Sequence, residues 1–416
     1  LILDLSTFPA NSNLMKQLNR SQVLNLIRNQ GPVSKVQIAE VTKLTFPAVV
    51  NIITELSQRG IITESGYGHS VGGRKPVLLK FNPNFKYVIA VELELHHVKA
   101  MIVNLDAEPV AKGDIKIDPD SGSSTILNQV YKVIDEIIEV SGLSMDQIYG
   151  IGICSPGPVD HNQGVVLNAP MLKDWNNIPL RDMVAQRYGI LTLLEKDANA
   201  AAIGELWFGA AKGKENVVNL IVNYGIGGGI IIDRRIYRGF YKGAGEIGHL
   251  TINMDGPQCS CGNQGCLEAY SSGVAIVRKI KEELQRGVET PYKEKYEQLG
   301  DELTLKCVTD AALDGDYLAI NVIKDSARIL AVGIANTIHY FSPESIILGG
   351  KLFAYYPKTL EIVKQHVKER VLDYFYDKIS IIPSELGDNA DIIGAASMVI
   401  EHLFDYSEQL LSGDPA

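Results

Sequence analysis

Apolar positions Leu14, Leu18, Val23, Leu26 and Ile27 recur at helical spacing behind Ser12 and Asn13, either of which can cap a first helix. Gly31-Pro32 stops it. Ser34 caps a short second helix with Val36, Ile38 and Ala39 turned inward. Thr42-Lys43-Leu44 makes a tight connection to a third helix, capped by Thr45, with Pro47 in its first turn, where a missing N–H is tolerated. Val50, Ile53 and Leu56 form its buried face and Gly60 ends it. Ile61-Ile62-Thr63 and Val77-Leu78-Leu79 then read as strands around a loop holding Gly66, Gly68, Gly72, Gly73, Arg74 and Lys75. Three helices and a basic, glycine-rich hairpin predict a winged helix-turn-helix over residues 1–82.

The pattern changes beyond residue 84. Strands are predicted over 87–91 and 98–103, a helix over 124–140, and a largely buried strand over 148–153 that runs into the turn Ser155-Pro156-Gly157-Pro158. Another strand follows over 191–195 and a helix over 198–208. The stretches 217–222 and 229–233 read as a second hairpin. Strands alternating with helices predict α/β architecture in two lobes, each opening with a hairpin and a tight turn.

Charge sharpens this division. The chain of 416 residues carries a formal net charge of −10, which taken whole argues against a protein coated in basic patches. The first eighty residues nevertheless hold nine basic and four acidic residues, a balance of +5, which leaves −15 for the other 336. A basic module on an acidic body suggests DNA binding by the head. Its third helix would enter the major groove with Thr45, Phe46, Ala48, Val49 and Asn51 near the leading end. Arg74, with Lys75 beside it on the wing, would lie in or beside a minor groove, and Lys16, Arg20, Lys35 and Lys43 would meet phosphates. A three-helix domain that docks a protein is the other reading of the same pattern.

Five cysteines exclude a disulfide scaffold and suit a reducing compartment. No secretion-signal pattern opens the chain, and the apolar stretch 217–232 is too short and too rich in glycine to span a bilayer. The expectation is a soluble cytoplasmic protein with no membrane insertion.

Three cysteines fall within Cys259-Ser260-Cys261-Gly262-Asn263-Gln264-Gly265-Cys266, and His249 lies ten positions upstream. One imidazole and three thiolates make a closed tetrahedral zinc set, which is the structural kind. Three free thiols in a turn is the alternative. Cys154 and Cys307 read as core residues. Glu246 and Glu268 bracket the loop, and carboxylates suit sugar hydroxyls because each oxygen accepts hydrogen bonds. Asp197 stands at a strand-to-helix junction, where it fits either an N-cap or a chemical role.

The series Ser155-Pro156-Gly157-Pro158-Val159-Asp160, Lys196-Asp197-Ala198-Asn199-Ala200, Gly225-Ile226-Gly227-Gly228-Gly229, Glu246-Ile247-Gly248-His249, the cysteine loop and Glu268 resembles the ROK family of repressors, open reading frames and kinases. The attached head resembles its repressor branch. The resemblance implies an actin-like, hexokinase-type fold with lobes over 83–205 and 206–389 and a C-terminal helix over 390–412 packing back on the first. It implies that Asn168, Asp197, Glu246, His249 and Glu268 contact a monosaccharide, that His249 also ligates zinc, and that Asp197 holds the general-base position of the kinases.

Departures from the kinase pattern concern the nucleotide. The family's Asp-x-Gly-Gly-Thr turn reads Glu92-Leu93-Glu94-Leu95-His96 here, and Gly-Thr-Gly becomes Asn223-Tyr224-Gly225. Bulk and negative charge then oppose phosphates, so no enzyme activity is expected. The family's Asn before the catalytic Asp is Lys196. The resulting expectation is a repressor of carbohydrate genes, acting on operator DNA as a homodimer or tetramer under a sugar effector. The alternatives are a repressor sequestered by a protein partner, or an ATP-dependent sugar kinase that also carries a DNA-binding head.

Overall fold

The structure, a computed structural model, describes residues 12–68 and 75–405. The head contains α1 (Ser12–Gln30), α2 (Lys35–Thr42) and α3 (Phe46–Gln58), followed by strands Ile62–Tyr67 and Val77–Phe81. A third short strand, Val33–Ser34, pairs with Val77–Phe81 to complete the sheet. Ser34 caps α2 through a reciprocal exchange with Gln37, which satisfies two backbone donors at once. Thr45 flanks α3 in extended backbone without a side-chain cap. The apolar register differs from expectation at two places. Val36 is exposed, and α3 buries Val49, Ile53 and Leu56 instead of Val50. Steps of four and three residues keep those three on one stripe, which begins at Val49.

The body contains two five-stranded sheets of one topology. The first runs Leu191–Lys196, Ile148–Ser155, Tyr87–Leu93, His97–Asn104, Pro109–Lys116. The second runs Ser380–Pro383, Ser345–Gly349, Val217–Val222, Ile226–Ile232, Arg235–Ile236. In each, the first strand in sequence is central, two antiparallel neighbours follow on one side, and two parallel strands lie on the other. Parallel strands reached by helical crossovers are covered on both faces, which is why Val217–Val222 and Ser345–Gly349 are buried throughout. A small sheet of Val159–Asp160, Val165–Asn168 and Asn176–Ile178 branches from the first lobe.

Two helices lie at the centre. Asp197–Phe208 leaves the first sheet, and Ala390–Asp405 packs on it and on the strand Ile148–Ser155. Their backbones touch: a Cβ on Gly394 would stand 1.7 Å from the Ala200 carbonyl oxygen, and one on Gly204 would stand 2.6 Å from that of Ala390. No single helix among the described residues is long and apolar enough to cross a membrane.

Candidate functional site

The metal loop begins at a 3₁₀ turn, Ile247–His249, which points the His249 ring toward the cysteines. Nδ1 of His249 stands 3.7 Å from Cys259 Sγ, and Cys261 Sγ stands 3.8 Å from Cys266 Sγ. All four ligand atoms lie within 4.8 Å of one another. Zinc bonded to sulfur and nitrogen at its usual lengths needs tetrahedral edges of about 3.8 Å and about 3.6 Å, so the donor set fits the ion. Gly265 permits the wrap, since a Cβ there would lie 1.6 Å from the Asn253 carbonyl oxygen. Cys154 is fully buried, as expected of a core thiol, whereas Cys307 is only half-buried.

The carboxylates gather beside this loop. Glu246 Oε1 accepts a hydrogen bond of 2.6 Å from Lys196 Nζ, and Glu246 Oε2 stands 4.0 Å from His249 Nε2. The imidazole thus offers Nδ1 to the metal set and turns Nε2 toward the cleft. Glu268 Oε2 accepts from the Ile226 N–H at 2.8 Å, tying the end of the loop to the turn at Gly225. Asp197 occupies the first turn of its helix, with Lys196 as the cap, and its Oδ1 accepts from the Ala198 N–H at 2.6 Å. Burial pushes its carboxyl up, against the opposing pull of the Lys196 ammonium. Asn168 is exposed at the end of its strand, and no hydrogen bond among the described residues joins it to the carboxylates.

Beside Asp197 the turn Glu92-Leu93-Glu94-Leu95-His96 is filled by ion pairs. Glu94 receives Lys99 at 2.6 Å and Lys351 at 2.9 Å. Burial opposes its ionisation, but the two ammonium groups prevail and hold its carboxyl down to about 2. Lys351 also lies over the Tyr224 ring at 5.1 Å, and its backbone N–H donates to Asn223 Oδ1 at 2.7 Å. The His96 ring meets Tyr224 edge-on at 5.7 Å.

On the head, Phe46 and Asn51 are exposed on α3 and Thr45 at its cap, with Ala48 and Lys35 half-exposed and Lys75 exposed just before the returning strand. Val49 does not join them. It is 0 % exposed and belongs to the head's core, so its side chain cannot reach a base edge. Arg20 is paired with Glu55. Arg74 lies outside the described residues.

Residues 88–402 match the ROK family. The chain belongs to the ROK family. It is 34 % identical over 400 residues to the xylose repressor of Caldicellulosiruptor bescii, covering 96 % of this chain and 99 % of that one. It is 29 % identical to the regulator NagC of Escherichia coli, covering 94 % of each. Among solved structures it resembles a ROK transcriptional regulator homologous to the E. coli Mlc protein, with a TM-score of 0.80, 27 % identity and coverage of 94 % and 97 %. A ROK glucokinase from Streptomyces griseus, solved with glucose and AMPPNP, has a TM-score of 0.67 at 29 % identity, covering 75 % of this chain and 98 % of that one. The Mlc homologue therefore spans the head as well as the body, and the kinase matches three quarters of the chain.

Sequence reasoning missed three residues of this ROK cleft. Arg238 donates to Glu195 Oε2 at 2.7 Å, while Glu195 Oε1 accepts from Asn199 and from the Lys196 N–H. The buried Glu195 therefore sets the direction in which Lys196 leaves its strand. Lys351 is the third, and the glycine turn Leu348-Gly349-Gly350 before it was its only local signal.

Proposed function

We propose that this ROK protein is a sugar-responsive transcriptional repressor of carbohydrate genes, without kinase activity. The observation that carries the reading is the Glu94–Lys351 pair. A nucleotide phosphate approaching the first turn would meet the Glu94 carboxylate, and the lysine that could have received it is already engaged. Asp197 keeps the base position, but a base without a phosphoryl donor transfers nothing. The head supplies the output: α3 and its cap present Thr45, Phe46 and Asn51 to a groove, and relatives of nearly full length are named the xylose repressor and the N-acetylglucosamine repressor.

In this reading Asp197, Glu246, His249 and Glu268 accept or donate hydrogen bonds to sugar hydroxyls, with Asn168 at the mouth. His249, Cys259, Cys261 and Cys266 hold a structural Zn²⁺ that fixes the 246–268 segment. Sugar binding favours one arrangement of the lobes, and the free energy for moving the heads is its difference in affinity for the two arrangements. DNA half-sites a helical turn or more apart call for a homodimer or higher symmetric assembly.

The test combines calorimetric titration of xylose, glucose and N-acetylglucosamine with an ADP-release assay on the same sugars. The reading expects binding of a sugar, no turnover, and a change in operator affinity on its addition. Turnover abolished by Asp197→Ala would overturn it in favour of a kinase.

A further inference from the structure

Arg28, on α1 of the head, holds its guanidinium carbon 3.7 Å from the Phe404 ring centroid and 4.5 Å from the Trp207 ring. Neither ring belongs to the head. Trp207 is the next-to-last residue of the helix Asp197–Phe208, and Phe404 is the next-to-last of Ala390–Asp405. Phe404 also meets Phe81 of the head's sheet edge-on at 5.4 Å. One continuous apolar cluster runs from Val23, Ile27 and Ile53 of the head to Ile393, Ile400 and Leu403 of the body.

The other ends of the same two helices lie at the cleft. Asp197 begins one, beside Lys196 and its partner Glu246. Asp391 stands in the first turn of the other; its charge pushes the Glu92 carboxyl up, and the Asp197 charge in turn pushes up its own. A helix of twelve residues is about 18 Å long, so a single rigid element reaches from the ligand site to the underside of the head. The backbones of the two helices touch at Gly394 and Gly204, and a close-packed interface leaves little room for one to shift without the other.

We propose that Arg28 is the coupling residue between cleft and head. This rests on the sugar-responsive reading above. When the ligand closes the lobes, the Asp197–Phe208 helix shifts, Trp207 moves against the guanidinium, and α1 carries the displacement to α3. The chemistry suits the task. A planar cation near two rings is attracted to each only while it stays within about 6 Å of that ring, so the contact depends on the position of both helices. A lysine would retain the charge and lose the flat contact.

The experiment uses the full chain, the three sugars named above, and a duplex selected from a randomised pool by the wild-type protein. Sugar affinity is measured by calorimetry and operator affinity with and without saturating sugar. Arg28→Lys and Trp207→Leu should bind the sugar within about twofold of wild type, while the ratio of the two operator affinities falls at least about fivefold toward one, the lower range of an ordinary allosteric coupling. Phe404→Leu repeats the measurement from the second ring with an apolar side chain kept in the core. Full retention of the ratio in these variants would overturn the coupling role alone. A wild-type protein that binds operator with no response to any of the sugars would overturn the functional reading and the coupling with it.

Discussion

Lys351 of the second lobe and Glu94 of the first meet at 2.9 Å across the cleft, with only 19 % and 12 % of their side chains exposed. The pair spans 257 positions of sequence and is one of three ion pairs between the lobes among the described residues, with Lys196–Glu246 and Arg238–Glu195. In the proposed reading, the Glu94 carboxylate takes the place on Lys351 that an incoming phosphate would need. The lobes are thereby joined without nucleotide.

This joint has a measurable strength. Removing one partner of a buried pair leaves the other charge stranded, typically at a cost of about 3–5 kcal/mol. Glu94 would still keep Lys99, so Lys351→Met should fall toward the lower end of that range in urea unfolding. Glu94→Gln combined with Lys351→Met should recover part of the loss, because neither partner of the pair is then stranded and Lys99 keeps Glu92 at 3.7 Å. A double variant as unstable as the sum of the singles would show that the two residues act independently.

Glu92 gives a pH-dependent expectation. It is 3 % exposed, and one carboxylate oxygen has no hydrogen-bond partner. Burial first, and then the neighbouring Asp391, pushes its carboxyl well above the usual range, with Lys99 pulling the other way. A value raised in the folded state means the native protein holds the proton more tightly than the unfolded chain. The stability from this group is therefore present below the unfolded value of about 4.3 and lost as pH rises through the folded one. Glu92→Gln keeps the shape and removes the titration. Its thermal midpoint should exceed that of the wild type at pH 8 and converge on it near pH 4. An equal difference at both values would assign the pH dependence to other groups.

The head separates reading from packing within three residues. Asn51 is exposed on α3, and Val49 is fully buried beneath it. Asn51→Ala should leave thermal stability unchanged and weaken operator binding by about 1–3 kcal/mol, the usual worth of a good base contact. Val49→Ala should destabilise the head through lost packing, with its operator affinity restored at temperatures where the fold is intact. Gel-shift and calorimetric melting on the same samples distinguish the two effects.

These contrasts show what local pattern carries and what it does not. The strands with continuous apolar runs, such as Val217–Val222, were legible because burial on both faces leaves few polar letters. The strand Pro109–Lys116 was not, because it lies at a sheet edge and exposes most of its residues, so its composition resembles a loop. The candidate metal cluster was legible because closely spaced cysteines restrict their own geometry. Asp197, Glu246 and Glu268 followed from the resemblance, but their partners did not. Lys196–Glu246 and Glu94–Lys351 each join residues of different lobes, and nothing near either residue in the chain encodes the distance. Val49 was misread for a related reason: the apolar letters at 49 and 50 are adjacent, and which of them faces inward is set by the partner helix.

The metal loop gives the last expectation, and it links stability to response. Among the four ligands Cys261 is the exposed one, whereas Cys259 and Cys266 are buried. Cys261→Ser thus removes a thiolate with little loss of packing, leaving three donors for an ion that takes four in structural sites. Elemental analysis should find one zinc per wild-type chain and a marked deficit in the variant. Without the ion nothing fixes the separation of His249 and Cys259, and the segment between Glu246 and Glu268 should become open to proteolysis. Glu246 and Glu268 sit at the two ends of that segment, so the sugar response should disappear together with the metal. The head packs on Trp207 and Phe404, away from this loop, so operator binding in the absence of sugar should persist. Loss of DNA binding along with the metal would mean that the loop supports the whole body, and an intact sugar response in a zinc-free protein would mean that the ion does not position the carboxylates.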